Sequence, residues 1–389
     1  MPAPRPGARP WHQRLEVDGA AALTDGGLDL GDRRRVLVVA GDGCDPRRAA
    51  VGAAGPWPVL ADPLSGWRVP HAGTVAAFDA IVRHAPADGD LAPDLVIHLG
   101  RPPASRALGE WFDRGDALHV LVDPAGRWLD PARRADAHLS AAPHHALQAL
   151  QALQAQLAPL EDGWLARWQR AEVAAQAAIT TVLAAHPEVT EPGLARDLAA
   201  LLPDGAALVV SSSMPIRDVE WFAQPRHGLG LHANRGANGI DGVTSTALGV
   251  ALARGAQPTA CLLGDLALLH DSSGLNGLAD RPCSLTLVVI DNHGGGIFSF
   301  LPQAAQLPVD RFEQLFGTPQ PVDIHALAAA HGIPRRDVAT AHDLAPSLAA
   351  ATAEGGVRML VARTDRAANV AMHEELAAAV RLALEGLSG

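Results

Sequence analysis

The chain has 389 residues, 48% of them apolar and 19% charged, with a net charge of −11 and three cysteines. This composition excludes a disordered polymer, a disulfide framework and a nucleic-acid surface, which needs clustered positive charge. All 31 basic residues are arginine, so lysine Schiff-base aldolases, pyridoxal enzymes and ordinary Walker A loops are excluded as well.

The length predicts two or three domains. No apolar run approaches the ~18 residues of a membrane span, and the start, MPAPRPGARPWHQRLE, lacks the apolar core of a signal peptide. A cytoplasmic location is the expectation. Residues 1–15, rich in Pro and Arg, read as a loose arm. Short apolar runs ending in turn residues follow, at Val36–Gly43, Pro58–Pro63, Leu95–Gly100 and Leu118–Pro124. Continuous runs of this kind suit strands buried on both faces of a parallel sheet. With a helix expected over Gly73–His84, they predict a doubly wound α/β domain over 16–145.

A Gln-Ala-Leu repeat from Ala146 predicts a helical connector over 146–161. A second α/β domain is expected over 162–389. Its first helices carry Trp164 and Trp168, and Thr190 caps the helix that leads to Asp197. Its strands are expected at 207–211, 228–233, 259–265, 284–292 and 357–362. The fold class is therefore α/β, with two doubly wound parallel-sheet domains. The turn Gly41-Asp42-Gly43 lacks the Gly-x-Gly-x-x-Gly pattern of dinucleotide enzymes.

Chemistry concentrates in the second domain. Asp265 ends the run Thr259–Gly264, and Asn292 ends the run Leu285–Asp291. The spacing fits a strand, a crossover helix and a parallel strand, which sets both side chains at the carboxyl ends of neighbouring strands. A carboxylate, an amide oxygen and the turn His293-Gly294-Gly295-Gly296 make an all-oxygen site suited to a hard divalent cation carrying phosphates. The competing expectation makes Asp265 a helix cap and Asn292 a turn residue.

The pattern Gly264-Asp265 … Asp291-Asn292 resembles the signature of thiamine-diphosphate enzymes. Leu266 and Asp291 depart from it, and the role of Asp291 is left open. Further segments extend the resemblance: Ser211–Asp218, Asn234–Gly242, Gly264–Asp271, Gly294–Pro302 and Phe312–Pro319. They are similar to the 2-succinyl-5-enolpyruvyl-6-hydroxy-3-cyclohexene-1-carboxylate synthases of menaquinone biosynthesis. The two domains would then be the middle domain and the diphosphate-binding domain of such an enzyme.

The resemblance implies thiamine diphosphate with Mg²⁺ or Mn²⁺, held by Asp265, Asn292 and the Gly294 carbonyl. Gly264, Leu266, Ser213 and Met214 would contact the cofactor, and Ile240 would prop its bent shape. It implies decarboxylation of 2-oxoglutarate and transfer of the succinyl unit to isochorismate. Arg217, Arg235 and Arg106 would grip substrate carboxylates, since a guanidinium matches a carboxylate bidentately. Ser213 would also bind substrate, and Ile297, Phe298 and Leu301 would wall the site. The plainer alternatives are surface ion pairs for the arginines, a capping turn for Ser213 and core packing for the apolar residues. His270 and His293 receive no role.

The family also needs a glutamate at the aminopyrimidine, on a pyrimidine-binding domain of another subunit. No segment here matches it. The expectation is a fragment of the longer enzyme, completed by another subunit or chain in a homo-oligomer. A split enzyme, a different thiamine-diphosphate carboligase of the acetolactate-synthase kind and a non-catalytic cofactor-binding protein are the alternatives.

Overall fold

The computed structural model describes the backbone of residues 13–16 and residues 32–44, 55–123, 127, 129–140, 159–234 and 239–387. They form two compact units that divide between Ala175 and Gln176, within the helix Trp164–Ala184, with the chain end from Ala383 grouping with the first.

The first unit is a seven-stranded sheet of β1 (Gln13–Glu16), β2 (Val36–Ala40), β3 (Val59–Ala61), β4 (Thr74–Val75), β5 (Leu95–Leu99), β6 (Leu118–Val122) and β7 (Ala137–Ser140). Their order is β1-β7-β6-β5-β2-β3-β4, and every pairing is parallel. The expected apolar runs supply the interior: Val36, Val38, Leu95, Ile97 and Val120 pack with Trp57 and Trp67 in one cluster. Burying each such side chain contributes roughly 1.5–3 kcal/mol.

Three expectations are corrected. Part of the expected loose arm, Gln13–Glu16, is an edge strand paired with β7. The expected helix over Gly73–His84 begins instead with the strand Thr74–Val75, and only Phe78–Val82 is helical, as two β-branched or hydroxyl-bearing residues favour. Trp164 and Trp168 belong to this unit, not to the second. The Trp164 indole donates to the Val36 carbonyl at 2.7 Å, and Trp168 packs edge-on against Trp111 at 6.1 Å. The Gln-Ala-Leu repeat lies outside the described residues.

The strand order reverses between β2 and β5, where an open α/β sheet would take a ligand. Here the turns after the two strands close on each other. The Arg101 amide donates to the Asp42 carbonyl at 2.8 Å, and a Cβ on Gly41 would meet the Arg101 carbonyl oxygen at 1.6 Å.

The second unit is a six-stranded sheet of β8 (Ala207–Val210), β9 (Gly230–Ala233), β10 (Thr259–Gly264), β11 (Leu285–Asp291), β12 (Arg335–Asp337) and β13 (Val357–Arg363). Its order is β12-β13-β11-β10-β8-β9, and it too is parallel throughout. Alternate residues feed opposite faces. Leu208, Leu262, Val288 and Leu360 join one cluster, and Val209, Cys261, Leu287 and Met359 the other. All five expected strands form, and the sequence reading missed only β12, whose polar Arg335-Arg336-Asp337 carries no apolar signal. The chain leaves β8 towards β9 but leaves β10 towards β11, so the reversal point falls between β8 and β10.

Candidate cofactor and metal site

The loops after β8, β10 and β11 leave the same edge of the sheet, at the carboxyl ends of these strands. The registers Val210↔Leu262 and Gly264↔Ile290 bring these ends level. Gly264 takes the cap position of the short helix Asp265–His270, and Asp265 lies in its first turn. Asp265 is buried, so it is not the surface helix cap of the competing expectation. Its carboxylate accepts from the Leu266 amide at 2.7 Å and from the Gly294 amide at 2.8 Å. Burial pushes its pKa up to about 6, against the opposing pull of these two amides. A cation beside it would restore the ionised form.

Asn292 is also buried. Its amide nitrogen donates to Glu191 Oε1 at 2.8 Å, while its Oδ1 is buried with no hydrogen-bond partner among the described residues. A buried acceptor left unmade costs about 1–3 kcal/mol, so Oδ1 is poised for a ligand. The turn that follows requires glycine. Gly294 has φ +140, and a Cβ there would meet the Gly317 carbonyl oxygen at 2.2 Å. A Cβ on Gly296 would meet the Asn292 amide nitrogen at 2.8 Å. The Gly294 carbonyl accepts from the Gly296 amide at 3.0 Å and keeps a second lone pair.

Asp291, whose role the sequence left open, pairs with Arg363 on β13 at 3.6 Å. The Phe312–Pro319 motif supports the glycine turn: Gly295 donates to the Gly317 carbonyl at 2.8 Å, and Phe316 packs on Phe298 at 5.6 Å. Residues Glu313–Gly317 form a π turn, anchored by a Glu313–Arg366 ion pair at 2.7 Å.

The loop after β8 is held as tightly. Ser213 has φ 75 and ψ −137, a region costing a non-glycine residue about 1–3 kcal/mol. Arg217 donates to the Ser213 carbonyl at 2.6 Å, and Ser212 to the Asn234 carbonyl at 2.6 Å. Ser213 occupies the cap position of the helix Met214–Phe222 but makes no side-chain cap bond, so capping does not explain it. Met214, the next residue, is buried.

The remaining predicted residues divide. Leu266 and Ile240 are half-buried, and Ile240 packs on the core beneath the sheet. Ile297 and Phe298 lie on the turn Gly296–Phe300, with Leu301 just after it. Phe298 and Leu301 are 37% and 38% exposed, which core packing would not give. Arg106 lies on the first unit, 87% exposed, and pairs along its own helix with Glu110 at 2.6 Å. Arg235 lies outside the described residues. His270 and His293 are exposed.

Sequence reasoning missed the layer beneath. Glu191 is 1% exposed and accepts from both Asn292 and the Thr364 hydroxyl, the latter at 2.9 Å. Burial first, and the nearby Asp218 charge second, raise its pKa to about 7. Asp218 and His373 form a buried pair at 2.8 Å. In sequence, Glu191 reads only as the first residue after the Thr190 cap; nothing local announces that it turns inward.

Among the described residues no three His, Cys, Asp or Glu side chains cluster as metal ligands. The available donors are therefore one carboxylate, one amide oxygen and a backbone carbonyl, the hard-oxygen set of Mg²⁺ sites that keep waters or phosphates. These residues fit such a group.

Known proteins match this chain along most of its length. A family model described as "Thiamine pyrophosphate enzyme, C-terminal TPP binding domain" matches residues 211–362, and one described as "Middle domain of thiamine pyrophosphate" matches 34–210. The 2-succinyl-5-enolpyruvyl-6-hydroxy-3-cyclohexene-1-carboxylate synthase of Chloroflexus aurantiacus is 38% identical over 92% of this chain and 62% of its own length. The enzyme of that name from Myxococcus xanthus is 39% identical over 94% of this chain and 61% of its own. That from Geobacillus kaustophilus is 39% identical, over 82% and 55% respectively. The chain thus spans less than two thirds of the length of these relatives. With both family models matched in succession, the chain belongs to the thiamine pyrophosphate enzymes and carries their middle and cofactor-binding domains.

Proposed function

We propose that this chain forms the middle and diphosphate-binding parts of a 2-succinyl-5-enolpyruvyl-6-hydroxy-3-cyclohexene-1-carboxylate synthase. In this reading Asp265, Asn292 Oδ1 and the Gly294 carbonyl bind Mg²⁺ or Mn²⁺, and the ion carries the cofactor diphosphate. The observation behind it is the Asn292 Oδ1, which has no hydrogen-bond partner among the described residues and is buried one strand away from a carboxylate whose pKa burial has raised.

Bound thiamine diphosphate would supply the electron sink for decarboxylation of 2-oxoglutarate, whose succinyl unit passes to isochorismate. This chain's part is to bind, orient and exclude water. Gly264, Leu266, Ser213 and Met214 line the cofactor, and Ile240 supports it from the core side. Arg217 and Arg235 take substrate carboxylates. Arg106 exchanges its exposed Glu110 partner, a pair worth under about 1 kcal/mol, for another carboxylate. Ile297, Phe298 and Leu301 shield the reacting atoms from water. A pyrimidine-binding domain from another subunit or chain completes the site, as a cytoplasmic homo-oligomer.

The test is isochorismate-dependent consumption of 2-oxoglutarate with Mg²⁺ and thiamine diphosphate, with the chain alone and with a relative's pyrimidine-binding domain supplied in trans. Turnover of 2-oxoglutarate by the completed protein supports the reading. Turnover of pyruvate in its place points to an acetolactate-synthase-like carboligase. Cofactor binding without turnover of either points to a non-catalytic binding protein.

A further inference from the structure

Asn292 has two chemically different ends, and only one of them suits a cation. Its oxygen can ligate, whereas its NH₂ group would repel a metal ion. Rotating the amide by half a turn exchanges them at little steric cost, so something must hold the orientation. The side chain comes from the end of β11, a strand buried along nearly its whole length. It is flanked by Gly296, where even a Cβ would press on the amide nitrogen.

Glu191 stands on the other side. It comes from the first turn of the helix Glu191–Leu201, fixed by the Thr190 cap and by Pro192. Its Oε1 accepts from Asn292 at 2.8 Å and from the Thr364 hydroxyl at 2.9 Å. Thr364 follows directly on β13, the strand paired with β11. Helix, β11 and β13 therefore converge on one oxygen atom. An oxygen that faces Asn292 as an acceptor admits only the NH₂ end and turns Oδ1 away, and that Oδ1 has no partner among the described residues.

We infer that Glu191 is a positioning residue for the divalent metal, holding the Asn292 amide so that its oxygen faces the ion. The inference rests on the proposed metal role of Asn292. Outer partners that orient a metal ligand typically change affinity by about 10- to 100-fold when removed. Glu191 reaches the site through Asn292, so we assign its contribution to hydrogen-bond geometry, which the uncharged Glu191→Gln separates from attraction by charge.

The experiment titrates Mn²⁺ into the chain in the presence of thiamine diphosphate, reading free Mn²⁺ by electron paramagnetic resonance. Asp265→Ala serves as the site control, and circular dichroism checks the fold of each variant. Glu191→Gln keeps an amide oxygen facing Asn292 and is expected to bind Mn²⁺ within about threefold of the parent chain, as rescue by geometry requires. Glu191→Leu removes the acceptor and is expected to weaken binding by about 10- to 100-fold. Should Glu191→Leu not fold, Glu191→Asp withdraws the acceptor by one methylene while keeping its charge. It is expected to weaken binding about 10-fold, the lower end of that range.

Parent-like affinity in Glu191→Leu or Glu191→Asp, with binding lost in Asp265→Ala, overturns the inference and leaves the metal site standing. Equal losses in Glu191→Gln and Glu191→Leu also overturn it, because charge and not orientation would then be at work. If the parent chain takes up no Mn²⁺ with the cofactor present, the metal site itself falls, and the role of Glu191 with it.

Discussion

The Asp265 carboxylate accepts a hydrogen bond from the Gly294 amide at 2.8 Å, so the end of β10 and the glycine turn after β11 are one unit. The same carboxylate holds the Leu266 amide at 2.7 Å. A ligand bound at either loop is therefore sensed by the other, and the site tolerates little change in either backbone.

Gly294 should be the least replaceable residue of that unit. A side chain at φ +140 is strained, and its Cβ would overlap the Gly317 carbonyl at 2.2 Å. Gly294→Ala is expected to cost at least about 2 kcal/mol and to lower the thermal midpoint of the second unit. It should also reduce Mn²⁺ uptake. An unchanged melting curve would show that the turn relaxes more easily than its geometry implies.

Arg217 has two duties in this account, holding the Ser213 carbonyl at 2.6 Å and, in the proposed reaction, binding a substrate carboxylate. Lysine keeps the charge but not the planar fork. In the completed enzyme, Arg217→Lys should raise KM for 2-oxoglutarate by about tenfold, the equivalent of one lost charge-assisted bond of ~1.4 kcal/mol. Steady-state kinetics with 2-oxoglutarate varied at saturating isochorismate reads this directly. A wild-type KM would remove Arg217 from the substrate site.

The first unit carries a built-in acid sensitivity. His98 and His119 share a ring-to-ring hydrogen bond at 2.9 Å, which needs an N–H on one ring and a bare nitrogen on the other, so protonating both rings breaks it. Burial holds His98 well below its ordinary pKa and lowers His119 to about 4. The unfolded chain takes up these protons near pH 6.5 and the folded unit does not. Stability is thus full above pH 6.5 and falls as the pH drops towards 4. His119 alone should account for a loss of about 2 kcal/mol at pH 5. Urea unfolding at pH 7.5 and 5.0 checks this, and His119→Gln should lose measurably less. The same pH dependence in both proteins would refute the assignment.

Trp164 ties the helix Trp164–Ala184 to β2 through the Val36 carbonyl and packs edge-on against Trp168 at 6.3 Å. Trp164→Ala should destabilise the first unit by about 3–5 kcal/mol, visible as an early urea transition. Trp164→Phe retains most of the packing and should cost much less. Similar losses in the two variants would mean that the indole hydrogen bond, and not the packing, dominates.

Much of this was legible in the amino-acid sequence because the physics is local. An apolar run such as Leu285–Ile290 followed by Asp291-Asn292 announces a buried strand and its functional end. The glycines at 294–296 announce a turn that needs them. The β1 strand was not legible, since Gln13-Arg14-Leu15-Glu16 is polar and is strand only because β7 offers an open edge. Trp164 and Trp168 looked like the start of the second domain because a helix shows its apolar residues but not the sheet that receives them. Glu191 was invisible for the same reason: its partners Asn292 and Thr364 lie 101 and 173 residues away. The resemblance supplied the roles of Arg106 and Arg235; the first pairs along its own helix with Glu110, and the second lies outside the described residues.

The central claim is that Asp265 and Asn292 hold a divalent ion that carries the cofactor diphosphate. Calorimetric titration of thiamine diphosphate into the chain, with and without Mg²⁺, addresses it most directly. The account predicts saturable binding that requires Mg²⁺ and is lost in Asp265→Ala, with circular dichroism unchanged. Binding that ignores Mg²⁺, or that survives intact in Asp265→Ala, would contradict it.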